Sequence, residues 1–311
     1  MITTLISEEL GLEPEAVSLI VRSASYRYKD YTVSKRTGGV RLISQPTPQV
    51  KVLQIWLARK IFRLLPIHAA AAAYMRHCSI VRHAALHSRN NFLMKVDFRD
   101  FFPSLKGEDI LQLLQENRGR LAHVVNDEND LNFVRSVVCR HNRLPIGAPS
   151  SPIISNALMY DFDLKWANWC QENEIAYSRY ADDLCFSTRR ANVLREVLDL
   201  LRVDLEARTS PKLHINEGKT VLTSRKRKRI VTGIVLTPQN GLSLGRKNKR
   251  KIRGMIHKFL VNKLDEKTRS YLTGYLSFAR SVEPSFVESL KRKFTPETID
   301  GLRNMPPIER S

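Results

Sequence analysis

The chain has 311 residues, and 51 Lys and Arg against 31 Asp and Glu leave a formal charge of +20. Its 42% hydrophobic and 26% charged content belongs to a globular chain with a core, built as one large domain or two modest ones, and excludes disordered and fibrous classes. No run approaches the roughly 18 uninterrupted apolar residues of a membrane span. Met1-Ile2-Thr3-Thr4 has no basic lead into an apolar segment, so no secretory signal is expected. Four widely spaced cysteines (Cys78, Cys139, Cys170, Cys185) form no C-x-x-C pair, which excludes a zinc or disulfide framework and predicts a reducing, cytoplasmic setting without a membrane partner. The excess positive charge points to a polyanion.

Residues 1–30 are predicted to form an N-terminal helical segment. Tyr31–Val33 and Val40–Ile43, flanking Ser34-Lys35-Arg36-Thr37-Gly38-Gly39, predict a β-hairpin with a basic tip. Val50–Leu65 carries Leu53, Trp56, Leu57, Ile61 and Leu64 at helical spacing and stops at Pro66. Asn91–Asp97 reads as a buried strand and Gly107–Glu116 as an amphipathic helix. Ser151-Pro152 predicts a capped helix start. The helix it opens is expected to run to about Glu172, with Ile153, Ala157, Tyr160, Leu164 and Ala167 on its apolar stripe. Ala176–Ser187 reads as a hairpin with acids at its turn, and Leu194, Val197, Leu198, Leu201 and Leu205 mark another helix. A boundary is placed near Pro238–Gly241, after which the chain reads as helical and basic. From Lys219 to Arg253 there are twelve basic residues and no acid. Such a run repels itself unless an anion lies against it, so phosphate contact is expected there.

Two acidic features sit where acids are costly. Asp97 closes the apolar run Phe92-Leu93-Met94-Lys95-Val96, and Asp182-Asp183 interrupt Arg179-Tyr180-Ala181 and Leu184-Cys185-Phe186. A carboxylate among buried strands calls for a neutralising cation. Each acid alone also fits a turn residue or a partner for an arginine. Together, an acid at one strand end and an acid pair at a neighbouring turn suit two Mg²⁺ ions about 3.5–4 Å apart, the arrangement of in-line phosphoryl transfer. In so basic a chain the pattern suggests a nucleotidyl transferase.

Tyr180-Ala181-Asp182-Asp183 resembles the Y-x-D-D box of reverse transcriptases. That family also has an upstream strand ending in Asp with an aromatic residue five positions on, as in Lys95-Val96-Asp97-Phe98-Arg99-Asp100-Phe101-Phe102. Leu144-Pro145-Ile146-Gly147-Ala148-Pro149-Ser150-Ser151-Pro152, followed by Ser155-Asn156, resembles its middle box. Glu217-Gly218-Lys219-Thr220 resembles its Gly-Lys turn, and 31–46 its fingers hairpin. Within the family the details are similar to the bacterial retron group: the middle box, the triplet Val231-Thr232-Gly233, and His83-Ala84-Ala85-Leu86-His87. This last departs at His83, where Asn is usual, and Ile146 stands where many members carry Gln. These departures spare the acids but remove two amides from nucleotide and RNA handling. Gly218-Lys219-Thr220 is not a phosphate-binding loop, because the required upstream glycine is Leu213.

The resemblance implies an α+β, right-hand polymerase fold: fingers and palm over 31–237, the palm an antiparallel sheet flanked by helices, and a small helical basic thumb over 238–311. It implies metal coordination by Asp97 and Asp182 with the Phe98 carbonyl, and Asp183 as the second acid of the pair, serving two Mg²⁺. Phe102 would lie under the nucleotide sugar and exclude a 2′-hydroxyl, with Phe101 or Phe102 alternatively a core ring. Arg41, with Lys35 or Arg36, would meet the triphosphate, unless the hairpin tip is simply solvated. Gly147 would admit the nucleotide against the backbone, or serve as an ordinary turn glycine. Lys219 would approach the leaving phosphate. RNA contact is expected of Arg225, Arg227, Arg229, Arg246, Lys249 and Arg250, and of His87 by resemblance, although a structural histidine is the plainer reading. Tyr271, Tyr275 and Phe278 share one helix face and are read as core.

The resemblance further implies copying of a cognate structured noncoding RNA from the 2′-hydroxyl of an internal guanosine, giving branched multicopy single-stranded DNA from dNTPs. It implies an accessory effector in anti-phage defence and removal of template RNA by host RNase H. No RNase H, integrase or endonuclease domain is expected in the chain. Two rivals stand beside this reading: a reverse transcriptase of another lineage, such as a group II intron maturase, and a catalytically silent RNA-binding scaffold. The Val231-Thr232-Gly233 triplet and the absence of further domains argue against the first, and the three acids against the second.

Overall fold

The computed structural model describes residues 1–35, 38–76 and 78–303; Arg36, half of the expected basic tip, lies outside them. Helices α1 (Ile2–Leu10) and α2 (Pro14–Arg22) open the chain, separated by Gly11 in the left-handed conformation (φ 64°) and Pro14 at the first turn of α2. Strands β1 (Tyr28–Ser34) and β2 (Val40–Pro46) pair antiparallel, from Tyr28 opposite Pro46 to Ser34 opposite Val40. The helix α3 (Pro48–Lys60) and a tight turn at Phe62–Leu64 fill the predicted 50–65 segment and bury Leu53, Trp56 and Leu57. Then come α4 (Ile80–Ser88), whose cap Ser79 accepts the Arg82 N–H at 3.1 Å, β3 (Phe92–Asp97), and the short α5 (Phe101–Ser104). Next are α6 (Gly107–Glu116), with the predicted bounds, α7 (Arg118–Leu121) and α8 (Glu128–Val138).

The single helix expected from Ser151 to Glu172 is two, α9 (Ser151–Leu158) and α10 (Tyr160–Glu172), broken at the buried Met159. Leu164 is exposed, and the buried line Ile154, Leu158, Phe162, Trp166 and Cys170 keeps a spacing of four across the break, with Ala157 beside it. The expected stripe, starting at the half-buried Ile153, lies off this line. Ser151 is not the cap either: Ser150 holds that position, and the Ser151 hydroxyl donates to the Pro145 carbonyl at 2.8 Å.

Strands β4 (Ala176–Tyr180) and β5 (Asp183–Thr188) form the predicted hairpin, and α11 (Val193–Ala207) buries all five of its expected apolar residues. After β6 (Val221–Ser224) come β7 (Arg229–Val231), β8 (Ile234–Leu236) and β9 (Leu242–Ser243), an antiparallel meander. Thr232 (φ 45°) and Gly233 (φ 85°) make the β7–β8 turn, a pair of positive φ values that closes a two-residue hairpin. Helices α12 (Gly245–Leu260), α13 (Glu266–Val282), α14 (Pro284–Phe294) and α15 (Pro296–Arg303) follow. The central sheet has the order β4-β5-β3-β6. No described helix is long and apolar enough to cross a membrane.

The chain divides into two compact units: residues 1–76, 94–186 and 192–221, and residues 77–93, 187–191 and 222 onward. The expected boundary, Pro238–Gly241, is the β8–β9 turn inside the second unit, where the Thr237 N–H donates to the Gly241 carbonyl at 2.9 Å. In the first unit α3, α6, α8 and α9 surround a core that includes Phe62, Leu105, Ile110 and Val134. In the second, α4 packs on the β7-β8-β9 meander, and α13 packs with α12, α14 and α15.

The core face of α13 is Leu272, Leu276, Ala279 and Val282. Tyr271 is half exposed, and Tyr275 and Phe278 lie at the margin with their rings stacked 6.1 Å apart. The aromatic stripe read as core is therefore a flank of the core, one position out of phase with the aliphatic line.

Candidate active site

The catalytic candidates arrive from adjacent strands of the central sheet. β3 ends at Asp97, the β4–β5 turn carries Asp182, and Asp183 opens β5. The turn is tight because Ala181 takes a left-handed conformation (φ 56°). The Phe98 N–H donates to the Asp182 carbonyl at 3.0 Å, and the Asn216 N–H to the Asp97 carbonyl at 2.7 Å. These bonds bring the three acids together and place the Phe98 backbone beside them.

The electrostatics follow from that crowding. Burial, then the charges of Asp183 and Asp97, push the Asp182 carboxyl above its ordinary pKa. Burial likewise raises Asp183, with Lys95 acting in the opposite sense. Asp97, nearly enclosed at 8% exposure, receives the Lys219 ammonium at 2.8 and 3.0 Å and the Asn216 amide at 3.3 Å. Partly desolvated, mutually repelling hard-oxygen donors fit a divalent cation.

Beside the acids is an open cavity of about 510 Å³. Its walls include Asp97, Asp182, Phe98, Phe102 and Lys219, with Lys35 and Arg41 from the hairpin. After Asp97 the chain reverses through Asp100 (φ 44°) into α5. That reversal gives two neighbouring rings different settings: Phe101 is buried and stacked on Phe98 with centroids 5.7 Å apart, while Phe102 is only half-buried, and both contribute to the cavity wall. Gly147 has φ 110°, and a Cβ there would lie 2.8 Å from Ile43 Cγ2 and 3.2 Å from the Ser44 carbonyl oxygen. Its close approach is thus to β2, where the Ser44 N–H donates to the Ile146 carbonyl at 2.8 Å; Ile146, not Gly147, lines the cavity.

The cavity also holds residues the sequence reading missed: Tyr74, Arg99, Arg140 and Arg143. The cluster Arg140-His141-Asn142-Arg143 directly before the Leu-Pro-Ile-Gly box was a usable signal. Tyr74, in a left-handed turn (φ 63°), had none. Arg140 is committed to the hairpin: it pairs with Asp30, donates to the Ser44 hydroxyl at 2.6 Å and stacks over the Tyr28 ring at 5.3 Å.

The expected RNA-contacting residues divide in two. His87 is fully buried, its ring 2.7 Å from the Ser187 hydroxyl, and burial pushes its pKa down to about 3; a neutral, enclosed imidazole makes no RNA contact. Arg229 is also buried, donating to the Asn90 carbonyl and, at 3.0 Å, to the Thr237 carbonyl, so it joins loops rather than phosphates. Arg225 is partly spent on the Arg89 carbonyl and Asn240. Lys249 pairs with Glu283, which also accepts from the Ser243 hydroxyl at 2.8 Å. The run without acids in sequence therefore meets one in space. Arg227, Arg246 and Arg250 are exposed, the last two lining a shallow depression on α12 with Lys247 and Lys251.

Comparison with known proteins bears on this geometry. A family model described as "Reverse transcriptase (RNA-dependent DNA polymerase)" matches residues 33–270. The Retron Ec83 reverse transcriptase of Escherichia coli is 35% identical over 299 residues, covering 93% of this chain and 94% of that protein. The Retron Ec73 reverse transcriptase of the same species is 32% identical over 287 residues, covering 89% and 90%. Among solved structures, telomerase from Candida albicans in complex with a TWJ fragment of telomeric RNA aligns with a TM-score of 0.53 at 13% identity, over 93% of this chain and 59% of that one. This last likeness concerns the right-hand polymerase fold alone.

Proposed function

Because the chain belongs to the reverse transcriptases, as an RNA-directed DNA polymerase of the retron family, we propose that it copies a cognate structured noncoding RNA into branched multicopy single-stranded DNA, starting from the 2′-hydroxyl of an internal guanosine. The observation that carries this reading is the meeting of Asp97, Asp182 and Asp183 beside a cavity walled by Arg41, Lys35 and Phe102. Asp97, Asp182 and Asp183, with the Phe98 carbonyl, would hold two Mg²⁺ ions, whose chemistry when bound is to acidify the attacking hydroxyl and to steady charge on the triphosphate.

The chain's own residues bind and orient the dNTP. Arg41 and Lys35 project from β2 and the hairpin tip as donors to triphosphate oxygens. The Phe102 ring forms the floor under the sugar, where a 2′-hydroxyl would collide with it. Lys219, now on Asp97, would exchange that carboxylate for the departing phosphate. The hairpin, which begins at Tyr28 rather than at residue 31, and the sheet correspond to fingers and palm up to about residue 237, preceded by α1 and α2, and the helices after 238 to the thumb. Arg227, Arg246 and Arg250 would meet RNA phosphates, since folded RNA is recognised largely through shape, phosphate and 2′-hydroxyl contacts.

In the cell this reading places the protein in the cytoplasm with its RNA, an accessory effector in anti-phage defence, and host RNase H trimming the hybrid. Recovery of nucleic acid from the purified protein tests it. Branched, RNA-linked DNA is the expected product, while linear RNA alone, or DNA with an ordinary 3′–5′ junction, overturns the retron reaction.

A further inference from the structure

Directly behind the Asp182 turn lies a buried ion pair that the chemistry above does not use. Arg179 on β4 and Asp163 on α10 both have fully enclosed side chains. Asp163 accepts from Arg179 Nε at 2.9 and 3.1 Å, from Nη2 at 2.6 Å, and from the Tyr177 hydroxyl at 2.7 Å. The remaining arm points the other way. Arg179 Nη1 donates to Asn156 Oδ1 and to the Ala181 carbonyl, both at 3.1 Å.

Each arm ends on something that matters to the site. Ala181 is the left-handed residue of the turn (φ 56°), a conformation that costs an L-residue energy and persists only where neighbours hold it. Arg179 holds its carbonyl, and the next carbonyl, of Asp182, accepts from Phe98 N–H at 3.0 Å. Asp182 is thus suspended between two hydrogen bonds, one of them from the guanidinium. The Asn156 amide donates in turn to the Ala73 carbonyl at 2.9 Å, and the Arg179 backbone bonds Ala70 and Ala72 at 2.8 and 2.7 Å. That segment presents Tyr74 to the cavity. A buried ion pair is a poor source of stability compared with packed apolar residues of similar volume, so stability alone is a weak account of it.

We infer that Arg179 is a positioning residue: anchored by Asp163, it fixes the turn that aims Asp182, and through Asn156 it sets the Tyr74 wall of the nucleotide cavity. The fork geometry of arginine is required, because one planar group must serve the carboxylate, the amide and the carbonyl at once. The inference rests on Asp182 being a metal-binding acid.

Three variants test it: Arg179→Lys, the paired Arg179→Met with Asp163→Leu, which removes both buried charges together, and Asn156→Ala. Folding is followed by thermal melts, Mn²⁺ binding to the protein alone by EPR titration, and dNTP incorporation by single-nucleotide primer extension. The two Arg179 variants are expected to lower kcat at least tenfold per folded molecule and to weaken Mn²⁺ binding several-fold. Asn156→Ala is expected to raise the dNTP KM about fivefold or more with Mn²⁺ affinity unchanged. Activity lost only in proportion to the unfolded fraction, with native Mn²⁺ affinity, marks a purely structural ion pair and overturns the inference. An unchanged KM in Asn156→Ala overturns the link to Tyr74. Asp182→Asn, measured in parallel, must itself weaken Mn²⁺ binding; if it does not, the error lies in the metal site rather than in Arg179.

Discussion

The ammonium of Lys219 lies 2.8 and 3.0 Å from the two carboxylate oxygens of Asp97, so a residue from the turn before β6 neutralises the acid at the end of β3. The lysine is about half exposed and the aspartate is not. Lys219→Met is therefore expected to lower stability in metal-free buffer by about 1 kcal/mol or less, the range of a partly solvated pair. The stabilisation gained on adding Mg²⁺ should be larger than in the parent, because a cation then meets an uncompensated acid. Thermal melts with and without Mg²⁺ check both points.

Asp182 and Asp183 have folded pKa values raised above their unfolded value of 3.8. Such groups contribute stability below the unfolded pKa, and that contribution is lost as pH rises through the folded pKa. At neutral pH the ionised pair is a burden on the fold. Asp182→Asn with Asp183→Asn should then abolish primer extension yet raise the metal-free Tm at pH 7, by about 2–4 °C if relief is near 1 kcal/mol. The gain should shrink as pH falls toward 4. A Tm that falls in the double variant would show the acids to be structural.

The two phenylalanines after Asp97 should separate cleanly. Phe102→Ala opens the cavity floor and should admit ribonucleotides while leaving the fold intact. Phe101→Ala should cost about 3–5 kcal/mol of stability and leave sugar discrimination unchanged. Competition between dNTP and rNTP in primer extension, alongside denaturant melts, reads both outcomes.

Gly147→Ala should distort the seat of β2. Its Cβ would press on Ile43 at 2.8 Å in a backbone conformation of φ 110°, for a loss of about 1–3 kcal/mol and a raised dNTP KM. Ile43→Ala in the same chain should recover part of the KM defect by removing the opposing methyl. No recovery would mean that the backbone conformation alone carries the effect.

Arg246 and Arg250 are exposed on α12, whereas Arg229 is enclosed. Replacing Arg246 and Arg250 with Gln should weaken RNA binding and reduce the slope of log affinity against log salt by about 1 per lost phosphate contact. Arg229→Gln should instead lower Tm, because two loop carbonyls lose their donor. Filter binding across a salt series, with melts, distinguishes the two classes.

The acids could be read from the sequence because a carboxylate that closes an apolar strand is a visible anomaly. Helix α6 was equally legible, its apolar period being bounded by Gly107 and by a polar stretch. The break at Met159 was not, since neither proline nor glycine marks it. Nor could charge type tell which basic residues face solvent: Arg229 and Arg179 are among the largest fully buried side chains, and their partners lie on other elements. Tyr271, Tyr275 and Phe278 repeat at helical spacing, but so do Leu272, Leu276, Ala279 and Val282, and only packing decides which line goes inward. Glu283, which answers Lys249, stands 34 residues downstream of it, beyond any local pattern.

The packing of α4 on the β7-β8-β9 meander has a consequence for synthesis of the chain. A ribosome adding about 5–20 residues per second completes Ser243, the last residue of the meander, roughly 8–31 s after Ser88, so the nascent helix must wait that long for its platform. Its buried face is composed of His83, Ala84, His87 and Ser88, small or polar side chains that tolerate water while unpartnered. A face of leucines in the same place would offer a waiting nascent chain to chaperones and to its neighbours on the polysome.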